Sequence, residues 1–273
     1  MQPHLIVFTD LDGTLLDHHS YSWRAASPAM AKLAANGIPL IFNSSKTAAE
    51  MRHLQNAMGI RAPFIVENGA AAVIPAGCLG RTEEQVMNFG ADHQQVLRTL
   101  MVQRKAGAQF RGFSDMADAE LAEVAGLDEV EASRARQRLG TEPLIWQGSD
   151  PELDQFSAAL GREGLRLVQG GRFWHAMGRF DKAEGARFLL EQYREHYRGE
   201  PLVTIALGDS PNDQRMLEAA DIPVVILTIS QAEDDILQSY QYGSNVYVHK
   251  PIDPVNLREV ILGLPGIGVM LTA

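Results

Sequence analysis

Short runs of consecutive apolar residues recur along the chain at Leu5–Phe8, Pro39–Phe42, Phe64–Val66, Val203–Leu207 and Val224–Thr228, each followed by polar or glycine-containing turn material. Apolar residues on successive rather than alternate positions mean that both faces of a strand are covered, as in a parallel sheet packed between helices. Between the runs lie helix-like stretches: Pro28–Asn36 stopped by Gly37, Ala48–Met58 stopped by Gly59, and Asp213–Ala220. The strand–helix–strand repeat predicts an α/β fold built on a doubly wound parallel sheet. Its site is expected in the crevice at the C-terminal ends of the strands.

From about Arg81 to Met177 the pattern changes. Helical stretches are predicted over Asp92–Ala106, Asp118–Val124, Asp128–Leu139 and Pro151–Gly161, with strands over Pro143–Gln147 and Leu165–Gln169. This middle region reads as an inserted α/β domain covering 81–177, within a core domain formed by 1–80 and 178–273. A chain of 273 residues is long enough for either one large core or two ordinary ones. No internal repeat or low-complexity segment interrupts it.

Composition narrows the classes of partner. Hydrophobic residues at 45% and charged residues at 21% describe a chain that folds. With 24 basic against 34 acidic side chains the net charge is -10, which argues against duplex nucleic acid or an anionic membrane surface as the main partner. A small anionic substrate then needs local cations. The single Cys78 excludes an internal disulfide framework and a thiolate-rich zinc site, and reads as an ordinary small apolar residue in a reducing compartment. No basic segment precedes the first apolar run, which meets Asp10 too early for a secretory signal, so the cytoplasm is expected. Val260–Leu271 is apolar but too short to span a bilayer and contains Pro265, so a packed terminal segment is expected there.

Asp10 and Asp12 stand two residues apart directly after the first apolar run, and crowded like charges cost energy unless a cation or a reacting group uses them. Alone, the pair could equally shape a turn or cap a helix. Ser44 follows a second run and could cap the helix that starts after Thr47; Lys182 opens a helical stretch, where a lysine is usually solvated. Gly208-Asp209-Ser210-Pro211-Asn212-Asp213 follows a further run and could be a turn leading into a capped helix.

Taken in order, Asp10-Leu11-Asp12-Gly13-Thr14, Ser44-Ser45-Lys46, Lys182 and the Gly208–Asp213 segment resemble the haloacid dehalogenase superfamily of phosphohydrolases and phosphomutases. The resemblance implies catalysis by Asp10 and Asp12: Asp10 attacks phosphorus to give an aspartyl phosphate, and Asp12 serves as general acid and then as general base. It implies Mg2+ held by Asp10, Asp209 and the backbone carbonyl of Asp12, with Asn212 and Asp213 orienting Asp209 or holding metal-bound water. Ser44 is expected to bind a phosphate oxygen and Lys182 to neutralise the nucleophile and the transferring phosphoryl group. Lys46 is a second candidate for substrate or solvent. Asp181 stands where relatives often carry Gly.

Finer detail is similar to the mannosyl-3-phosphoglycerate phosphatase family: Ser44-Ser45-Lys46-Thr47 with Ala49-Glu50-Met51, Glu67-Asn68-Gly69-Ala70, Leu144-Ile145-Trp146 and Gly171-Arg172-Phe173-Trp174-His175. Most relatives acting on free hexose phosphates carry Thr-Gly-Arg where this chain has Ser-Ser-Lys. The likeness implies a small-molecule phosphoester substrate and makes 81–177 a cap over the active site. Arg172 and His175 then become candidates for the glycerate carboxylate and Trp174 for a sugar face, against the alternative of a strand edge with a buried Trp. Glu67-Asn68-Gly69 is expected to shape a strand-end turn. A broad sugar-phosphate phosphatase or a phosphomutase on the same fold is the alternative activity. A ligand-binding descendant without catalysis would have lost Asp10, Asp12, Lys182 or Asp209, and all four are present.

Overall fold

The structure, a computed structural model, describes residues 3–17, 20–170, 172–209 and 211–221, together with two further strands at Val224–Thr228 and Ser244–His249. The chain starts with β1 (His4–Thr9), α1 (Ser27–Ala35), β2 (Leu40–Asn43), α2 (Ala48–Met58), β3 (Phe64–Val66), β4 (Ala71–Ile74) and β5 (Gln85–Asn88). Next come α3 (His93–Lys105), β6 (Phe110–Gly112), α4 (Asp118–Ala125), α5 (Glu129–Ala135), β7 (Thr141–Trp146), α6 (Asp150–Arg162), β8 (Arg166–Gly170) and β9 (Phe173–Met177). The described elements end with α7 (Lys182–His196), β10 (Leu202–Gly208), α8 (Gln214–Glu218), β11 (Val224–Thr228) and β12 (Ser244–His249). Two compact units result, one of Met1–Ser44 with Leu190–Ala273 and one of Ser45–Leu189.

In the first unit the strands lie in the order β12-β11-β10-β1-β2, all parallel. Ile6, Val7 and Phe8 are all buried, so successive side chains on opposite faces of β1 both meet core, as the apolar run requires. His4–Thr9 pair in register with Leu202–Leu207, and Val7–Thr9 with Leu40–Phe42. Parallel pairing brings the residues after β1, β2 and β10 to one edge of the sheet. That edge carries Asp10, Ser44 and Asp209.

The second unit is antiparallel. β3, β4 and β5 form a meander, and β6-β7-β9-β8 form a separate sheet. Leu144 and Ala176 of this sheet pack with Val96 and Leu100 of α3 and with Phe156 and Leu160 of α6. Ile145 and Phe173, an odd number of residues from Leu144 and Ala176 and therefore on the opposite face, join the cluster of Leu121, Ala122, Ala125 and Ala132 from α4 and α5.

The chain reverses after β3, and β4 pairs antiparallel with it, because Glu67, Asn68 and Gly69 adopt φ of 53°, 57° and 96°. One expectation changes. Asp128–Leu139 was expected as one helix. The Asp128–Glu131 capping box starts α5, but it ends at Ala135, and the amides of Leu139, Gly140 and Thr141 are bonded to the Glu67 carboxylate instead. Val260–Leu271 lies outside the described residues.

Candidate active site

Asp10 follows the last residue of β1, and its amide donates to the Leu207 carbonyl of the neighbouring β10 at 2.9 Å. Asp209 follows the last residue of β10. A 3-10 turn at Pro211–Asp213 then brings Asp213 back, so that its Oδ2 accepts the Asp209 amide at 3.2 Å. Asp213 precedes α8 but does not cap it with its side chain; the capping alternative gives way to a carboxylate turned toward Asp209. Asp10, Asp209 and Asp213 thus offer ligand oxygens within 4.8 Å of one another. At an effective dielectric of about 20, two full charges 4.8 Å apart repel by roughly 3 kcal/mol. Asp10 is 6% exposed and Asp213 0%, so water screens little of this.

The surrounding backbone is shaped to this cluster. Gly13 sits at φ +85°, and a Cβ there would lie 2.3 Å from Asp209 Oδ2. A Cβ on Gly208 would lie 2.6 Å from that of Asp213. Thr14 Oγ1 donates to Asp209 Oδ1 at 3.1 Å, and the Leu11–Leu16 turn is closed by Leu16 and Thr14 amides donating to the Leu11 carbonyl. Three hard oxygen donors, largely desolvated and crowded, suit a small divalent cation. Among the described residues no other such cluster occurs.

Ser44 is 1% exposed and does not cap α2; Thr47 does so, in a capping box with Glu50. In the second unit Lys182 is also 1% exposed, which removes the solvated alternative. It is the first residue of α7, and Asp181 caps that helix, its Oδ1 accepting the amides of Ala183 at 2.9 Å and Glu184 at 3.2 Å. The departure from Gly at position 181 therefore supplies a helix cap, a feature worth about 1 kcal/mol.

A profile described as haloacid dehalogenase-like hydrolase matches residues 7–102. A protein of Persephonella marina named glucosyl-3-phosphoglycerate/mannosyl-3-phosphoglycerate phosphatase is 35% identical over 240 residues, covering 85% of this chain and 88% of that one. The chain belongs to the haloacid dehalogenase superfamily, in its mannosyl-3-phosphoglycerate phosphatase family. The α/β fold is that of solved haloacid dehalogenase structures. A superfamily phosphatase from Bacteroides thetaiotaomicron has a TM-score of 0.61 at 20% identity over 90% of each chain. A protein from Thermoplasma acidophilum has 0.62 at 17% identity, covering 90% of this chain and 92% of that one.

Within this family assignment, the aromatic and basic stretch on β9 divides between the two faces of its sheet. Trp174, half-buried, packs against the cluster of α3 and α6, on a strand that lies inside its sheet rather than at an edge. Arg172 is exposed; its guanidinium donates to the Ala125 carbonyl and lies over the Phe173 ring. His175 is buried, and its Nδ1 has no hydrogen-bond partner among the described residues. Burial, reinforced by the positive charge of Arg138, pushes its pKa from 6.5 down to about 3. A neutral imidazole brings no charge to a carboxylate at neutral pH.

The sign of the resulting pH dependence follows from linkage. The unfolded chain takes up a proton near 6.5 that the folded chain refuses until about 3. Stability from this group is full above 6.5 and falls below it, by about 1.4 kcal/mol per pH unit. Urea midpoints measured between about pH 7 and about pH 5 are expected to fall less steeply in His175→Gln than in the parent. Equal slopes would refute the assignment.

Sequence reasoning underrated Glu67. It is 0% exposed, and its carboxylate accepts the amides of Leu139, Gly140 and Thr141 at 2.6, 3.1 and 2.9 Å and the Thr141 hydroxyl at 2.8 Å. The available signal was a Glu preceding Asn-Gly, where a turn needs none.

Proposed function

We propose that this protein, a phosphoric monoester hydrolase by family, is a Mg2+-dependent phosphatase that converts mannosyl-3-phosphoglycerate to mannosylglycerate and phosphate. The observation that carries the reading is the Asp10–Asp209–Asp213 cluster at the ends of adjacent parallel strands. The name of the Persephonella relative supports the substrate. Residues 81–177 act as the cap on a core of 1–80 and 178–273, and the cytoplasm is the compartment.

Asp10 and Asp209, with the Asp12 carbonyl and Asp213, would hold the cation, which when bound neutralises charge on the phosphoester and on the carboxylates. Asp10 attacks phosphorus in line with the departing alkoxide; the P–O bond to glycerate breaks as the Asp10–phosphorus bond forms. Asp12 gives its proton to the leaving oxygen, then takes one from the water that hydrolyses the aspartyl phosphate. Ser44 donates its hydroxyl to a phosphate oxygen, and the Lys182 ammonium balances the charge of the phosphoryl group.

Purified protein with Mg2+ should hydrolyse mannosyl-3-phosphoglycerate with a kcat/KM at least about a hundredfold above that for 3-phosphoglycerate or mannose 6-phosphate, since losing either remote group removes roughly 3 kcal/mol of binding used in the transition state. Because the relative's name joins both sugars, glucosyl-3-phosphoglycerate belongs in the same panel. Comparable kcat/KM on simple hexose phosphates would replace this reading with a broad sugar-phosphate phosphatase. Arg172→Ala tests the remaining candidate in the cap and should lower the preference while sparing aryl phosphate hydrolysis.

A further inference from the structure

Three consecutive residues with left-handed backbone, Glu67, Asn68 and Gly69, join β3 to β4. A tight reversal asks only for Asn-Gly at such φ; a buried Glu at φ 53° is not what the turn itself selects. Each residue that is unusual here touches a segment carrying chemistry. The Glu67 amide donates to the Lys46 carbonyl at 2.9 Å. Its carboxylate gathers the backbone of Leu139, Gly140 and Thr141. Arg138, next in the chain to Leu139, returns a bond from Nη1 to the Ser45 carbonyl at 2.9 Å, and Thr47 Oγ1 donates to the Arg134 carbonyl at 2.9 Å. A closed ring of bonds therefore fixes the Ser45–Thr47 loop. Gly69 completes the arrangement: a Cβ on it would lie 2.0 Å from the Asp181 carbonyl oxygen and 3.0 Å from the Lys182 amide nitrogen. The backbone that launches Lys182 rests directly on this turn.

We infer that Glu67-Asn68-Gly69 is a positioning element, which sets Lys182 and the Ser45–Thr47 loop in one fixed relation. The inference rests on the reading of Lys182 as the cation facing the phosphoryl group. Gly69 acts through Lys182 and Glu67 acts through the loop after Ser44; neither meets substrate.

The test uses full-length protein with Mg2+ and p-nitrophenyl phosphate, well below the thermal midpoint of each variant. Gly69→Ala should lower kcat at least about tenfold with KM within about twofold, because the added Cβ displaces the Lys182 backbone rather than a binding contact. In a Lys182→Ala background the same substitution should change kcat by less than about twofold, since its target is gone. A general loss of packing would lower kcat equally in both backgrounds. Glu67→Gln keeps the side-chain shape but loses acceptor capacity, and should lower kcat at least about fivefold; it decides the matter if Gly69→Ala does not fold. Folded Gly69→Ala and Glu67→Gln with parental kcat, alongside an impaired Lys182→Ala, would overturn the inference alone. Parental turnover in Lys182→Ala would remove the underlying reading of that lysine and the inference with it.

Discussion

Asp10→Asn should lower kcat by at least about ten-thousandfold while leaving the thermal midpoint unchanged or higher. An amide oxygen is no nucleophile toward a phosphoester, so the first covalent step has no attacking group. The same substitution removes one of three negative charges whose ligand oxygens lie within 4.8 Å of one another. Roughly 3 kcal/mol of repulsion per close pair is relieved in the metal-free protein, which offsets the modest cost of altering a buried hydrogen-bonding group. Activity and stability therefore move in opposite directions. Steady-state hydrolysis of an aryl phosphate and a melting curve in chelator measure both. A kcat within about tenfold of the parent would exclude Asp10 as the nucleophile.

Chelation should abolish turnover, Mg2+ should restore it, and Ca2+ should restore little, because Ca2+ takes more ligands at longer distances than three converging carboxylates fix for a small ion. The carboxylates repel one another without a cation, so Mg2+ should also raise the thermal midpoint, with a stabilisation of about 2.7 kcal/mol once its concentration is about a hundredfold above Kd. Asp213→Asn should shift half-activation to higher Mg2+ and shrink the gain in midpoint. Full activity in excess chelator would refute the cation requirement, and an unchanged midpoint would refute binding at this cluster.

The apolar runs that became β1, β2, β3 and β10 were legible because burial on both faces leaves few polar positions inside the strand. The antiparallel β4 was not, since the reversal after Val66 depends on backbone angles that no periodicity encodes. β5 was invisible for the opposite reason: Val86, Met87 and Asn88 are exposed, and nothing in Gln85–Asn88 marks a buried face. Asp10 and Asp209 were singled out through family resemblance, and their proximity comes from a β1–β10 register that local pattern does not contain. Asp213 was given only a supporting part, because its return to the cluster requires the 3-10 turn at Pro211–Asp213. Glu67 was read as a turn residue since its hydrogen-bond partners lie 72 to 74 positions away.

The pairing of β1 with β10 joins segments from opposite ends of the chain, with everything from Ser45 to Leu189 threaded between the halves of one compact unit. Closing a long loop costs free energy that grows only logarithmically, about 0.6 kcal/mol for each doubling of its length. Two of the three carboxylates come from strand ends and the third from the turn after β10, none of which such a loop reshapes, so the intervening segment can lengthen, shorten or be exchanged with little thermodynamic penalty to their convergence. What must survive any such graft is the Ser45–Thr47 loop with the bonds that hold it, from Arg134 and from Arg138 to Thr141, and the Gly69–Asp181 contact. A chimera that keeps those joints and replaces the rest of the sheet of β6 to β9 is expected to retain aryl phosphate hydrolysis while its preference among phosphoesters changes.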